Sequence, residues 1–171
     1  MIFQVEIPKR GPICAKGGEP FEPGLDYYSQ LLEDDNAGSL QRLDYCKQCW
    51  EEISRTKGGR RAATSWRSSV PAAKGLSDLP KKRDDRALYL LKEALNSQSP
   101  DQVPEAFVLS LYLARRRLIT LRHEMKSDAR GPLSIYEVAD TEEMLCVPKL
   151  ALSELQVEKL QLELAKKFKG T

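Results

Sequence analysis

The residues with most chemistry to offer in this 171-residue chain are its four cysteines, Cys14, Cys46, Cys49 and Cys146. Cys46-Lys-Gln-Cys49 has the spacing at which two thiolates meet one ion while turn amides support the sulfurs. Cys14 opens a second short turn, Cys14-Ala-Lys-Gly17. Thiolate sulfur in a tetrahedral set is what zinc prefers, and structural zinc takes four protein ligands. Cys14, Cys46 and Cys49 make three. Three readings follow. Zinc is held by these cysteines and a fourth ligand such as His123 or an acid. Alternatively the same fold stands without metal, with the thiols as small buried hydrophobes. The third reading is a redox dithiol at Cys46 and Cys49; it wants a βαβ setting that the preceding residues do not supply, and it ranks last. Cys146, in Met-Leu-Cys-Val, reads as core filler on a strand.

Positioning these sulfurs requires particular elements. Glu22-Pro23-Gly24 carries the chemistry of a type II turn. Tyr27 to Leu32 reads as a strand, Asp34 to Gly38 as a loop, and Leu40 to Tyr45 as the returning strand of a hairpin. Trp50-Glu-Glu-Ile53 belongs to a helix that starts beside the cysteine pair, with Trp50 packing beneath the hairpin. The order of cysteine turn, hairpin and Cys-x-x-Cys at a helix start is that of a treble-clef zinc finger. A complete finger would carry another ligand three residues after Cys14, where this chain has Gly17. Upstream, Phe3, Val5 and Ile7 alternate with polar residues as a short strand ended by Pro8.

Charge is unevenly placed. The total is +2, yet residues 1–52 carry a net −5, residues 53–83 a net +8 and residues 84–171 a net −1. The middle segment holds Gly58-Gly59, Pro71, Gly75 and Pro80 and reads as a basic linker, anchored at Trp66 and Val70-Pro71. Its Arg60, Arg61, Trp66 and Arg67 form a nucleic-acid alternative, because guanidinium groups pair with phosphates and a tryptophan stacks on an unpaired base. No recognised nucleic-acid motif accompanies them.

Beyond it, Asp84 and Asp85 precede Ala87, Leu88, Leu91, Ala94 and Leu95, the pattern of a helix with acids at its start. Phe107, Leu111, Ala114, Leu118, Leu121 and Met125 continue a helical stripe, which predicts a central helix over 104–125. Of Arg115, Arg116 and Arg117, at least one is expected to pair with an acid of the domain. Leu133 to Val138 and Met144 to Val147 read as a small hairpin. Ser153-x-x-Gln156 reads as a capping box, with Leu152 stapled to Val157, before a terminal helix along Leu160, Leu164 and Phe168. The fold class is therefore α+β. Residues 1–53 form a zinc-ribbon-like hairpin module, 54–83 a linker, and 84–171 an α-rich module with a small β-hairpin.

The run Cys14…Pro23-Gly24…Tyr27-Tyr28-Ser29…Arg42-Leu43-Asp44-Tyr45-Cys46…Cys49-Trp50 resembles a family of uncharacterised bacterial proteins found mainly in planctomycetes, and looser similarity runs through Trp66-Arg67…Val70-Pro71 to the terminal helix. The resemblance implies the architecture and a bacterial cytoplasmic setting, and it carries over no functional residue.

Catalysis has little to draw on. The one histidine, His123, falls on the expected central helix, and no phosphate loop, dinucleotide fingerprint or nucleophile elbow is present. The first ten residues lack the basic and apolar regions of a signal peptide, and the longest near-apolar stretch, Ala106–Ala114, is far short of the roughly 20 residues of a bilayer span. The expectation is a cytoplasmic, non-enzymatic binding or scaffold protein. It would have one structural zinc, a protein partner and no small-molecule substrate.

Overall fold

The computed structural model describes residues 5–33, 39–56, 64–72, 82–128 and 131–169. The loop expected at Asp34–Gly38 and the basic residues Lys57, Arg60, Arg61, Lys74 and Lys81 lie outside them. Among the described residues the fold is α+β, with four α-helices and two three-stranded sheets. The chain divides into two compact units, and the division does not fall at residue 53. One unit holds Val5–Leu76 with Asp140–Met144; the other holds Ser77–Ala139 and Leu145–Thr171.

The first unit is built on β1 (Asp26–Glu33) and β2 (Leu40–Cys46), followed by α1 (Lys47–Arg55) and β3 (Thr64–Ser69). The sheet order is β2-β1-β3, and both pairings are antiparallel. The stretch expected to be a linker thus contains an edge strand, which is why the boundary lies further along. Val5–Ile7, in contrast, is irregular chain rather than a strand, and Phe3 of the expected strand lies outside the described residues.

Period-2 alternation gives this sheet two distinct faces. Tyr27, Ser29 and Leu31 are buried on one, opposite Cys46, Asp44 and Arg42 of β2. Trp66 of β3 lies opposite Ser29 and is buried on the same face. Tyr28 and Tyr45 face the other way. There Trp50 of α1 stacks on Tyr28 with ring centroids 5.5 Å apart and tilts against Tyr45 at 6.0 Å. Such aromatic contacts add about 0.5–1.5 kcal/mol beyond the area they bury. They seat a helix that has no fully buried residue of its own.

Arg10 closes the unit on the Tyr27 side. Its guanidinium donates to both Glu142 carboxylate oxygens at 2.7 and 3.2 Å and lies 5.4 and 5.3 Å from the Phe21 and Tyr27 ring centroids. The Tyr27 hydroxyl donates to the same carboxylate at 2.6 Å. Burial opposes ionisation of Glu142, but the hydrogen bonds from Arg10 and Tyr27 and the charges of Arg10 and Arg42 outweigh it and hold the group below its ordinary value.

The second unit contains α2 (Lys82–Ser97), α3 (Val103–Arg115), β4 (Ile119–Ser127), β5 (Gly131–Val138), all of β6 (Met144–Pro148) but its first residue, and α4 (Val157–Lys169), with sheet order β4-β5-β6. Its core joins Ala87, Leu90, Leu91 and Ala94 of α2 to Ala106, Leu109 and Leu113 of α3 and to Ile119, Tyr136, Val138, Leu145 and Val147 of the strands. Leu164 and Phe168 of α4 pack on its margin. Arg116 fulfils the expected ion pair: it bonds Asp84 at 2.8 Å, and Tyr112 donates to the same carboxylate at 3.0 Å. No helix among the described residues is long and apolar enough to cross a membrane.

The expected helix over 104–125 ends ten residues early. Leu118 N donates to Leu113 O at 3.0 Å and Arg117 N to Ala114 O at 3.0 Å, the paired bonds of a Schellman stop. Arg117 takes the left-handed position at φ 60°, where glycine is usual. From Ile119 the chain is strand. Ile119, His123 and Met125 are buried, Leu121 and Leu111 are exposed, and a bulge falls between Leu121 and His123. The terminal helix also begins differently from expectation. Leu152–Glu154 forms a 3₁₀ turn, α4 starts at Val157, and Leu152 and Val157 are both exposed, so no staple forms.

Two outcomes test these features. Arg117→Gly removes the left-handed penalty and should raise the unfolding free energy by about 1 kcal/mol in urea titrations; an unchanged value would deny strain at this stop. The lowered Glu142 pKa means a stabilisation present above the unfolded carboxylate value of about 4.3 and lost as pH falls through the lower folded one. Glu142→Gln should therefore lower stability at neutral pH and flatten the acid limb of the stability curve.

A candidate metal centre

The loop Gly11–Phe21 is a narrow turn that presents Cys14. An isolated bridge joins Ile13 to Pro20, Cys14 N donates to Glu19 O at 2.8 Å, and Gly18 N donates to Cys14 O at 2.9 Å. Gly18 sits at φ 73°, which closes the turn without a side-chain penalty.

Asp44 holds the entering arm of this loop at two points. Its Oδ2 accepts Gly11 N at 3.1 Å and its main-chain oxygen accepts Ala15 N at 2.8 Å. Its Oδ1 accepts Ser29 Oγ at 2.5 Å and Arg42 Nε at 2.9 Å. The Arg42 and Asp44 side chains are only 1% and 3% exposed, so this ion pair is shielded from water. The cysteine that follows, Cys46, ends β2 and leads directly into α1, whose first turn carries Cys49.

The three sulfurs converge. The Sγ atoms of Cys14, Cys46 and Cys49 all lie within 4.8 Å of one another. Cys14 is 1% exposed, and its Sγ accepts Cys46 N at 3.3 Å and Gly17 N at 3.4 Å. Burial raises the Cys14 thiol, but hydrogen bonds from the Cys46, Gly17 and Lys16 amides and the Cys49 thiol outweigh it and bring it down to about 7. Cys49 is pushed up to about 12 by hydrogen bonding of its thiol to Cys46, by burial, and by its bond to Cys14. Crowded sulfurs that resist losing their later protons are the electrostatic situation a divalent cation relieves. Tetrahedral zinc at about 2.3 Å from each sulfur sets sulfur–sulfur separations of about 3.8 Å, which this cluster reaches with small side-chain movements. The donor set fits a thiophilic metal. Lys16, on the same turn, forms an exposed ion pair with Glu52 of α1.

The remaining expected site residues lie elsewhere. His123 is buried on β4, with Ile135 as its register partner, and is not in the sulfur cluster. Its helical placement fails because the chain is strand from Ile119. Cys146 is on β6 but half-buried, alternating with buried Leu145 and Val147. Trp66 is buried with the Arg42 guanidinium 5.3 Å from its ring, so it packs within the sheet and offers no face to a base. Arg67 is exposed and bonds Asp26 at 2.6 Å; Arg60 and Arg61 lie outside the described residues. Sequence reasoning missed Asp44, although its place two residues before Cys46 on a strand face otherwise facing inward was a usable signal.

Comparison with protein-family models, curated proteins and solved structures finds no match to this chain.

Removing the Asp44 carboxylate leaves the Arg42 charge buried without its counterion. Asp44→Ala should therefore cost about 3–5 kcal/mol of unfolding free energy and weaken metal binding about 10–100-fold through the loosened Cys14 loop. Lys16→Ala should leave the unfolding midpoint essentially unchanged, because an exposed pair contributes little.

Proposed function

We propose that this protein is a non-enzymatic binding or scaffold protein whose cysteine-bearing unit is organised by one structural zinc ion on Cys14, Cys46 and Cys49. The observation that carries the reading is the convergence of three sulfurs from two separate segments, one of them already receiving amide hydrogen bonds. Metal at this point ties the Gly11–Phe21 loop to the β2–α1 junction, a linkage otherwise made by hydrogen bonds of Asp44 and Cys14. The apolar side chains of Leu152, Val157 and Leu162, all exposed, support a protein partner over a small-molecule substrate. A bacterial cytoplasm, where thiols stay reduced, suits a thiolate metal site.

Elemental analysis of the full chain, purified under reducing conditions without chelator, should find one zinc per chain. Cys46→Ser should lose it, with a fall in melting temperature of about 10 °C or more. A metal-free protein whose melting temperature does not respond to added zinc would overturn the reading.

A further inference from the structure

In the second unit Arg116, Lys149 and Lys167 each hold a carboxylate, of Asp84, Glu124 and Glu105 respectively. Arg83 and Arg86 of α2 and Lys169 of α4 pair with no carboxylate among the described residues. All three are exposed, and all three line one groove of about 740 Å³ between α2 and α4. Its floor is Leu164, Ala165 and Phe168, which with Gln161 stand at i, i+3, i+4 and i+7 on one face of α4.

The charge gathers at one end of this groove. The Arg83 guanidinium lies 5.5 Å from the Phe168 ring centroid, Arg86 donates to Lys167 O at 3.3 and 3.4 Å, and Lys169 follows on the helix. From Phe168 back to Gln161 the floor runs about 10 Å at helical rise. A ring contact consumes no N–H donor of Arg83, and Arg86 keeps most of its five after bonding one carbonyl. A smaller cavity of about 250 Å³ also borders Arg86, but Glu93 and Glu105 line it, and Glu105 neutralises Lys167 there. In the larger groove no acid offsets the three cations among the described lining residues.

We infer that the α2–α4 groove binds one amphipathic anion of the alkyl carboxylate class, its head on Arg83, Arg86 and Lys169 and its chain over Phe168, Leu164 and Ala165. Guanidinium forks match a carboxylate, and the volume falls among those of ligand pockets, about 300–1,000 Å³. The floor is two helical turns long with its charge at one end. That suits a single-headed molecule better than a peptide, whose polar groups repeat along its length. The described lining has no hydroxyl, thiol, imidazole or carboxylate, so the groove holds its ligand without chemistry on it. This inference stands apart from the metal reading and adds a ligand to a binding protein.

The test titrates dodecanoate, below its micelle concentration, into the full chain by calorimetry. One dodecanoate should bind saturably per chain. Acetate, a head without a chain, should show no saturable binding, and dodecylammonium, a chain with the opposite charge, should bind about tenfold or more weakly. Arg83→Gln and Arg86→Gln should each weaken dodecanoate about tenfold, the loss of one charge-assisted hydrogen bond. Ala165→Trp should block the floor and abolish binding. Leu162→Ala, an exposed apolar position of α4 outside the groove, should leave it unchanged. These side chains are exposed, so melting temperatures should hold throughout. Absent saturable binding, equal binding of dodecylammonium, or indifference to the arginine and Ala165 variants would overturn the inference. Arg83-dependent binding to phosphatidylglycerol vesicles, or to a glutamate-rich amphipathic peptide, without binding of dodecanoate would assign the groove to a macromolecule and overturn it as well.

Discussion

The Asp44 carboxylate accepts hydrogen bonds from a buried guanidinium, a serine hydroxyl and a loop amide at once, and its own carbonyl accepts a fourth from the same loop. A buried ion pair of this kind contributes little net stability compared with well-packed apolar side chains, because both charges lose their hydration. What it contributes is uniqueness of position. Each partner is usable only where Asp44 stands, so the loop carrying Cys14 has one place to go. Arg42 extends the constraint in another direction, since its guanidinium lies over the Trp66 ring and ties β3 to the same charge pair. The three-stranded sheet and the cysteine turn therefore share one electrostatic anchor, two residues from the first of the paired cysteines.

The opposite face of that sheet is held by different physics. Tyr28, Tyr45 and Trp50 are apolar contacts without a charged member, and they orient a helix with no buried residue. The helix axis matters for the site because Cys49 lies one residue before Trp50. A ring stacked within 5° of parallel on Tyr28 fixes the start of α1 in rotation, and with it the direction of the Cys49 sulfur. The two cysteine-bearing segments are thus set by separate interactions on the two faces of the sheet.

Much of this was legible from the chain. The β1–β2 hairpin, the cysteine turn and the packing of Trp50 follow from alternation, turn residues and Cys-x-x-Cys spacing, all local signals. The failures are equally local in origin. Ile119, Leu121, His123 and Met125 fit a period of two as well as Leu118, Leu121 and Met125 fit a helical one, and the stop that decides between them is made by Arg117 in a conformation its type does not announce. Strand β3 was hidden for another reason. Thr64–Ser69 has one large apolar residue, Trp66, and gains its place from pairing with β1 rather than from its own pattern. Asp44 and Arg42 escape notice residue by residue, because inward-facing charges on a strand look like outward-facing ones; only their register opposite Ser29 and Leu31 marks them as inward.

The turn that carries Cys14 is fixed at Gly11 and Ala15 by Asp44, at its reversal by Gly18, and at Gly17 by the bond from its amide to the Cys14 sulfur. Gly17 also stands close against the sulfur cluster: a Cβ there would lie 3.2 Å from the Cys49 sulfur, tighter than ordinary van der Waals contact, so glycine is what lets the turn approach the start of α1 this closely.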